Sequence, residues 1–269
     1  MEEPITTCIN CGEVANGNYC PNCSQRTNVK RINVKEGWHD FWSRVYGFDG
    51  MFPRTLRDLT IRPGIVARVY INRNRVKYYG PVGYFFFMIS LCLLLFSIID
   101  LDYMEYMKGM QSRLAGDQYQ TKGFQKISRF VTDNIKIFAF LIIPFQALSA
   151  QYLFFRKSGY NFLEHTILPF YVIGHVYWLT IIGGVILQLT GFSVAGITGI
   201  ALIFIIGFAY SGLMTYQSKG KAFLKGLLSY LTATVGFVIT MFILIAIAIV
   251  ILPVIAPDFY QQIKPSNNL

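Results

Sequence analysis

Five long runs without Asp, Glu, Lys or Arg constrain the fold of this chain more than any other feature. They occupy residues 81–99, 137–155, 167–189, 195–216 and 226–252. A helix needs about 20 mostly apolar residues to cross the hydrocarbon core of a bilayer. The strands of a membrane barrel would alternate apolar and polar residues, and these runs do not alternate. The sequence therefore predicts an all-α integral membrane protein with about five transmembrane helices.

The composition excludes other classes of protein. Hydrophobic residues make up 54% of the chain and charged residues only 14%, whereas a soluble domain carries about 25% charged residues. A single water-soluble domain and an intrinsically disordered chain are therefore both excluded. The first 80 residues contain no apolar segment typical of a cleavable signal peptide, which favours a cytosolic N-terminal region.

The distribution of basic residues predicts the orientation of the helices. Residues 1–80 contain 12 Lys or Arg and 7 Asp or Glu, and the last connection contains Lys219, Lys221 and Lys225 without an acid. The connection at 100–136 is nearly neutral, with 6 basic and 5 acidic residues. Basic loops are retained in the cytosol. We therefore expect a multi-pass membrane protein with a cytosolic N-terminus and a C-terminus outside.

Four of the five cysteines form two Cys-x-x-Cys pairs, Cys8 with Cys11 and Cys20 with Cys23. A tight turn lets the two thiolates of a pair reach one ion, and two pairs complete a tetrahedral site. Such a closed site is structural, because no coordination position is left for a substrate. Residues 1–28 are therefore predicted to form a zinc-ribbon knuckle around a structural Zn²⁺. Redox-active or disulfide-bonded cysteines are the alternative, which a reducing cytosol disfavours.

Residues 29–80 are predicted to form basic amphipathic helices at the membrane surface. Residues 33–47 carry apolar and aromatic residues, among them Trp38 and Trp42, at helical spacing on one face. That face either lies on the inner leaflet or packs against the bundle or another chain.

Seven basic residues and a single acid, Asp58, follow between residues 54 and 77. Basic residues near a membrane surface attract anionic lipid headgroups. Anchoring of the first span in its orientation is an alternative that is compatible with lipid contact, and binding of nucleic acid is disfavoured. The candidate headgroup residues are Arg54, Arg57, Arg62, Arg68, Arg73, Arg75 and Lys77.

The motifs of this N-terminal region resemble those of an uncharacterised bacterial family. They are C-I-N-C-G and G-N-Y-C-P-N-C-S-Q, followed by F-D-G-M-F-P-R-T-L-R-D-L, R-P-G and Y-I-N-R-N-R-V-K-Y-Y-G-P. Members of that family are multi-pass membrane proteins with an N-terminal zinc-ribbon knuckle and a basic juxtamembrane motif, and they form a domain of unknown function. The resemblance covers about residues 8–90. It implies a location in the bacterial inner membrane and no known activity.

Residues 81–269 are predicted to form the transmembrane bundle, in which Glu164 and His175 are the candidate polar residues. They are 11 residues apart, so an uninterrupted helix would place them on one face. Ionisable residues inside a membrane mark candidate proton or substrate paths. The alternative is a neutral histidine that hydrogen-bonds to another helix. Small residues at four-residue spacing between 195 and 211 predict close helix packing, within the chain or in a homo-oligomer.

The sequence favours a role other than catalysis. It contains no phosphate-binding loop, no nucleophile elbow and no zinc-protease motif. The first hypothesis is that the zinc-ribbon head recruits or senses a cytosolic protein partner while the bundle anchors it in the membrane. The second is a transporter or small channel that uses the polar residues around His175.

Overall fold

The computed structural model divides the chain into two units, Met1–Phe52 and Pro53–Leu269. The predicted amphipathic helix at 33–47 lies outside the described residues, as do Arg73 and Arg75. The described residues are 5–8, 11–23, 27, 51–72, 74 and 77–255.

The first unit contains a small β-hairpin, which we call the head. Strands β1 (Ile5–Thr7) and β2 (Val14–Asn16) pair in antiparallel orientation. A hairpin of two such short strands is at best marginally stable in water. Among the described residues of the head, Cys8, Ala15 and Cys20 form a buried cluster, with Cys23 packed against it. The apolar surface that these few residues bury is too small to hold the hairpin together by itself.

The second unit is helical along most of its length. Its described residues form short helices before the first span, a helical connection after it, and four further long helices. The helices are α1 (Met51–Ile61), α2 (Pro63–Ile71), α3 (Pro81–Ile98), α4 (Tyr103–Ala115), α5 (Lys122–Asp133), α6 (Ile135–Ser149), α7 (Phe162–Thr190), α8 (Ala195–Leu213) and α9 (Lys219–Ile255).

Five of these helices are long and apolar enough to cross a membrane, which confirms the predicted fold class. They are α3, α6 with the π-helical turn at Ala150–Phe154 that continues it, α7, α8 and the part of α9 up to Leu244. Large apolar side chains such as Leu94, Phe204 and Phe242 are exposed along them. A surface of this kind is stable where lipid replaces water around the bundle.

Helix α7 starts five residues before the uncharged run that predicted it, because its first turn has a capping box. The side chain of Asn161 accepts a hydrogen bond from the backbone N–H of Glu164, and the Glu164 carboxylate accepts one from the Asn161 backbone N–H. Both bonds satisfy donors that a helix N-terminus otherwise leaves unpaired. The charge at Glu164 therefore lies within the helix and defines its start.

The nearly neutral connection at 99–134 is folded rather than extended. Helices α4 and α5 flank a 3₁₀ turn at Gly116–Gln120. Asp102 caps α4 and Thr121 caps α5, each by accepting a hydrogen bond from a backbone N–H in the first turn. Arg129 forms ion pairs with Asp102 and with Asp133, so α5 is tied back to the start of α4.

Glycines let α3 and α7 pack side by side in parallel. A side chain at Gly174 would meet the backbone of Phe85, and one at Gly184 would meet the ring of Phe96. Contact positions advance together along both helices, which defines the parallel orientation. One membrane-spanning candidate, α6, lies between them along the chain, so the chain crosses once and returns, as an up-and-down bundle requires.

The two ends of the bundle are built from different connections. At one end, Ser193 donates a hydrogen bond to the backbone carbonyl of Tyr106, which joins α4 to the connection between α7 and α8. At the other end, α2 packs against the last turn of α8, where Arg68 donates to the carbonyls of Gly212 and Leu213. The short helices before the first span are thus part of the second unit rather than a separate linker.

The contact between α2 and α8 is closest at Gly64. A Cβ atom there would overlap the backbone of Ala209, Gly212 and Leu213. We expect Gly64→Ala to lower stability by about 1–3 kcal/mol, because two helices packed backbone to backbone must separate. Thermal unfolding of the purified full chain in detergent measures this effect.

The matched control is Gly196→Ala, since Gly196 lies in a helix and has no atom within 4 Å of its added Cβ. That change should leave the melting temperature unchanged or raise it slightly. Equal melting temperatures for the two variants would contradict the close contact of α2 with α8.

Candidate metal centre and polar residues of the bundle

The head brings its four cysteine side chains to one point. The Sγ atoms of Cys8, Cys11, Cys20 and Cys23 all lie within 4.8 Å of one another. The closest pairs are Cys8 with Cys23 at 3.5 Å and Cys11 with Cys20 at 3.6 Å. These separations are too long for disulfide bonds, whose sulfurs are about 2.05 Å apart. All four cysteines are free thiols in the structure.

Local backbone geometry places the first pair of cysteines. The backbone N–H of Gly12 donates to the carbonyl of Cys8 at 2.9 Å, and the N–H of Cys8 donates to the carbonyl of Glu13 at 2.8 Å. Gly12 has a φ of +75°, a conformation in which a side chain would be strained. The turn therefore folds Cys11 back towards Cys8, as the Cys-x-x-Cys spacing predicts.

The thiol cluster fits a single metal ion. Four sulfurs at 2.3 Å from one ion in a tetrahedron are about 3.8 Å apart, close to the separations observed here. Cys8 and Cys20 are buried, whereas Cys11 is exposed. Four thiolate donors saturate a tetrahedral ion, so the arrangement can stabilise the hairpin but has no open position for substrate chemistry.

A second polar cluster lies at the end of the bundle, around Asp58 of α1. Asp58 is only 1% exposed. Its carboxylate accepts hydrogen bonds from the Tyr78 hydroxyl at 2.8 Å, from Arg57 Nε at 3.0 Å and from Arg62 Nη2 at 3.1 Å. Burial favours the neutral acid, but these three bonds outweigh it and lower the pKa of Asp58. Burial and the adjacent carboxylate raise the pKa of Tyr78.

Four of the seven basic candidates have different partners in the described part of the chain. Arg57 and Arg62 form ion pairs with Asp58, and Arg68 binds backbone carbonyls of α8. The Lys77 ammonium lies 5.6 Å from the centre of the Tyr78 ring. Part of the basic segment therefore holds α1 and α2 against the bundle.

The two candidate residues of α7 have separate partners. His175 is buried, and its ring bonds through Nδ1 to the Tyr84 hydroxyl at 2.9 Å and through Nε2 to the Thr60 hydroxyl at 3.1 Å. These bonds join α7 to both α3 and α1. Glu164 serves the capping box of α7. Both ring nitrogens of His175 therefore contact protein groups. A transport role for this residue stays a prediction.

Sequence reasoning missed the role of Asp58. The available signal was a lone acid among seven basic residues, four places before Arg62, where a helix would pair them. It also treated Glu164 as a possible site residue, although Asn161 three places earlier is the signal of a capping box. The partners of His175 had no such signal, because they lie 91 and 115 residues away along the chain.

Comparison with known proteins adds one match. Residues 49–93 match a family described as a protein of unknown function, DUF3667. This segment contains α1, α2 and most of α3, including Asp58 and Tyr78, and it overlaps the resemblance predicted for residues 8–90. No curated protein and no solved structure matches the chain.

The charge of Asp58 should contribute to stability in a pH-dependent way. Its folded pKa is lowered, so the contribution is present above the unfolded pKa of about 4 and is lost as the pH falls through the folded pKa. We expect Asp58→Asn to lower the free energy of unfolding by about 1–3 kcal/mol at pH 7, because three donors lose a charged acceptor. The effect is limited to this range because the two arginines are partly exposed to water.

Melting temperatures of wild type and variant from pH 7 down to pH 3 test this expectation. The difference between the two proteins should narrow below about pH 4. Asp102→Asn is a control for a more exposed aspartate that also pairs with an arginine. A difference that stays constant over the whole range would show that folding does not lower the pKa of Asp58.

Proposed function

We propose that this chain is a non-enzymatic, multi-pass protein of the bacterial inner membrane whose zinc-bound head recruits or senses a cytosolic protein partner. The thiol cluster carries the proposal, because its four sulfurs leave no position open for a substrate. The five membrane-spanning candidates supply the anchor. The polar clusters of the bundle hold helices together, which supports anchoring rather than chemistry in that unit.

Zinc is the metal that best suits the cluster. Four thiolates in a tetrahedron are typical of zinc or iron. Zinc has no redox chemistry and no geometric preference of its own, so it suits a site whose work is to close a hairpin. Its binding free energy would also supply the folding energy that the small buried cluster of the head lacks.

The surface of the head supports a docking role. Val14 is 54% exposed and Tyr19 is 58% exposed. Tyrosine gains binding energy from its large ring at little cost in conformational entropy, and it is enriched at protein interfaces. A metal-folded hairpin that presents these two side chains is a rigid platform for a protein partner.

The proposed orientation makes a prediction about the two ends of the bundle. Basic residues should keep the end that contains α2 and the connection at 155–161 in the cytosol, while α4 and α5 face outward. Epitope tags inserted at the exposed positions Gly159 and Gly116 test this. The Gly116 tag should be labelled in intact spheroplasts, and the Gly159 and N-terminal tags only in inverted vesicles. The opposite pattern would overturn the proposed localisation.

We expect the head to fold only when its metal ion is bound. Elemental analysis of the full chain should find about one zinc per chain, and Cys20→Ser should lose most of it. The melting of the bundle should change little, since the bundle has its own packed interior. Iron in place of zinc would contradict the metal assignment.

Photo-crosslinking in intact cells, followed by mass spectrometry, tests the docking role. Tyr19→Ala should retain zinc and lose the cross-linked partner, because the exposed ring is removed while the ligands stay. Tyr216→Ala is the matched control, an exposed tyrosine in the second unit. An identical set of cross-linked proteins for wild type, Cys20→Ser and Tyr19→Ala would contradict the docking role.

A further inference from the structure

A cavity of about 520 Å³ lies at the end of the bundle where α2 meets α8 and α9. Its size is within the usual range for small-molecule sites. The described residues that line it come from the start of α2, the end of α8 and the connection to α9. None of these lining residues is acidic. They are Arg62, Pro63, Gly64, Ile65, Arg68, Phe208, Ser211, Gly212, Met214, Thr215, Gln217, Ser218 and Lys219.

Three cationic side chains converge on this cavity. Arg62 shares its charge with Asp58, whereas the described part of the chain offers no carboxylate within ion-pair distance of Arg68 or Lys219. Thr215 and Ser218, whose hydroxyls can donate hydrogen bonds, also line the cavity. A lining with cations, donors and no acid is selective for an anion.

Arg68 is held in place before any ligand binds. Its Nη2 donates to the carbonyls of Gly212 and Leu213, while its Nε is buried without a hydrogen-bond partner in the described structure. The amide nitrogen of Gln217 is buried and unpartnered in the same way. Both unpartnered donors belong to residues that line the cavity, and buried donors without partners cost free energy.

Two helices begin at the cavity. Helix α2 starts at Pro63, and α9 starts at Lys219, where the carbonyl of Ser218 accepts the first hydrogen bond of the helix. The N-terminal turn of a helix carries partial positive charge and unpaired N–H groups. Both starts therefore add to the attraction that the three side chains exert on an anion.

Apolar residues at the cavity indicate what kind of molecule carries the anion. Ile65 is 39% exposed and Phe208 is 50% exposed, and both line the cavity. Phe208 belongs to a membrane-spanning candidate helix, so it would meet acyl chains. A phospholipid fits this arrangement, with its phosphate among the cations and its acyl chains along Ile65 and Phe208.

We propose that this cavity binds the phosphate group of an anionic phospholipid, with Arg68 and Lys219 as its main cationic contacts. The site is separate from the protein-docking role of the head and does not depend on it. It is also narrower than a general attraction of basic residues to the membrane, because it assigns one defined position with fixed donors.

Native mass spectrometry of the full chain in detergent tests the site. The protein is titrated with dioleoyl-phosphatidylglycerol or with dioleoyl-phosphatidylcholine, which have the same chains. Wild type should retain one phosphatidylglycerol more tightly than phosphatidylcholine. Lys219→Gln should weaken that retention roughly five-fold, as expected for one basic residue near a headgroup. Lys221→Gln is the matched control, an exposed lysine of the same helix that does not line the cavity.

A second variant and a soluble probe complete the test. Arg68→Gln should weaken retention further, and its melting temperature shows whether it folds; Lys219→Gln decides the outcome if it does not. Thermal shift of the protein with added glycerol 3-phosphate shows whether the cavity binds a soluble phosphate rather than the phosphate of a lipid. Equal losses in Lys219→Gln and Lys221→Gln, or no preference for phosphatidylglycerol, would overturn the site. Protection by glycerol 3-phosphate without retention of phosphatidylglycerol would overturn the lipid as its source.

Discussion

The cost of leaving a backbone N–H or C=O group unpaired in lipid governs most of this structure. Only helices and closed barrels satisfy all such groups within the membrane, and the uncharged runs of this chain form helices. Because the apolar surface of each helix can face lipid, the choice of which helices pack together must come from close packing and a few polar contacts. The glycines that bring α3 against α7, and α2 against α8, supply the first of these.

Polar contacts concentrate where the short helices α1 and α2 join the bundle. The Asp58 carboxylate accepts hydrogen bonds from two arginines and from Tyr78, and the His175 ring connects α1 and α3 to α7. These clusters lie in or against the segment that matches a family of unknown function. The lipid site that we propose lies at the same end of the bundle, between α2, α8 and the start of α9.

The head and the bundle depend on different sources of stability. The described residues of the head bury little more than the cysteines, so the metal ion that we propose there would supply what a hydrophobic core does not. The bundle draws on apolar packing and on hydrogen bonds between distant helices. Loss of metal should therefore affect one unit without unfolding the other, which allows the head to be tested as a separate functional element of the same chain.

The sequence by itself determined the five membrane helices and the cysteine set, because both rest on local patterns. An uncharged run of about 20 residues has few alternatives to a helix, and two Cys-x-x-Cys turns need only their own spacing to form. The bond of Asp58 to Tyr78, the partners of His175, the close approach at Gly64 and the cavity around Arg68 were decided only by the tertiary structure. They join residues that are 20 to more than 140 positions apart along the chain, and which helix faces which depends on packing that no single segment encodes.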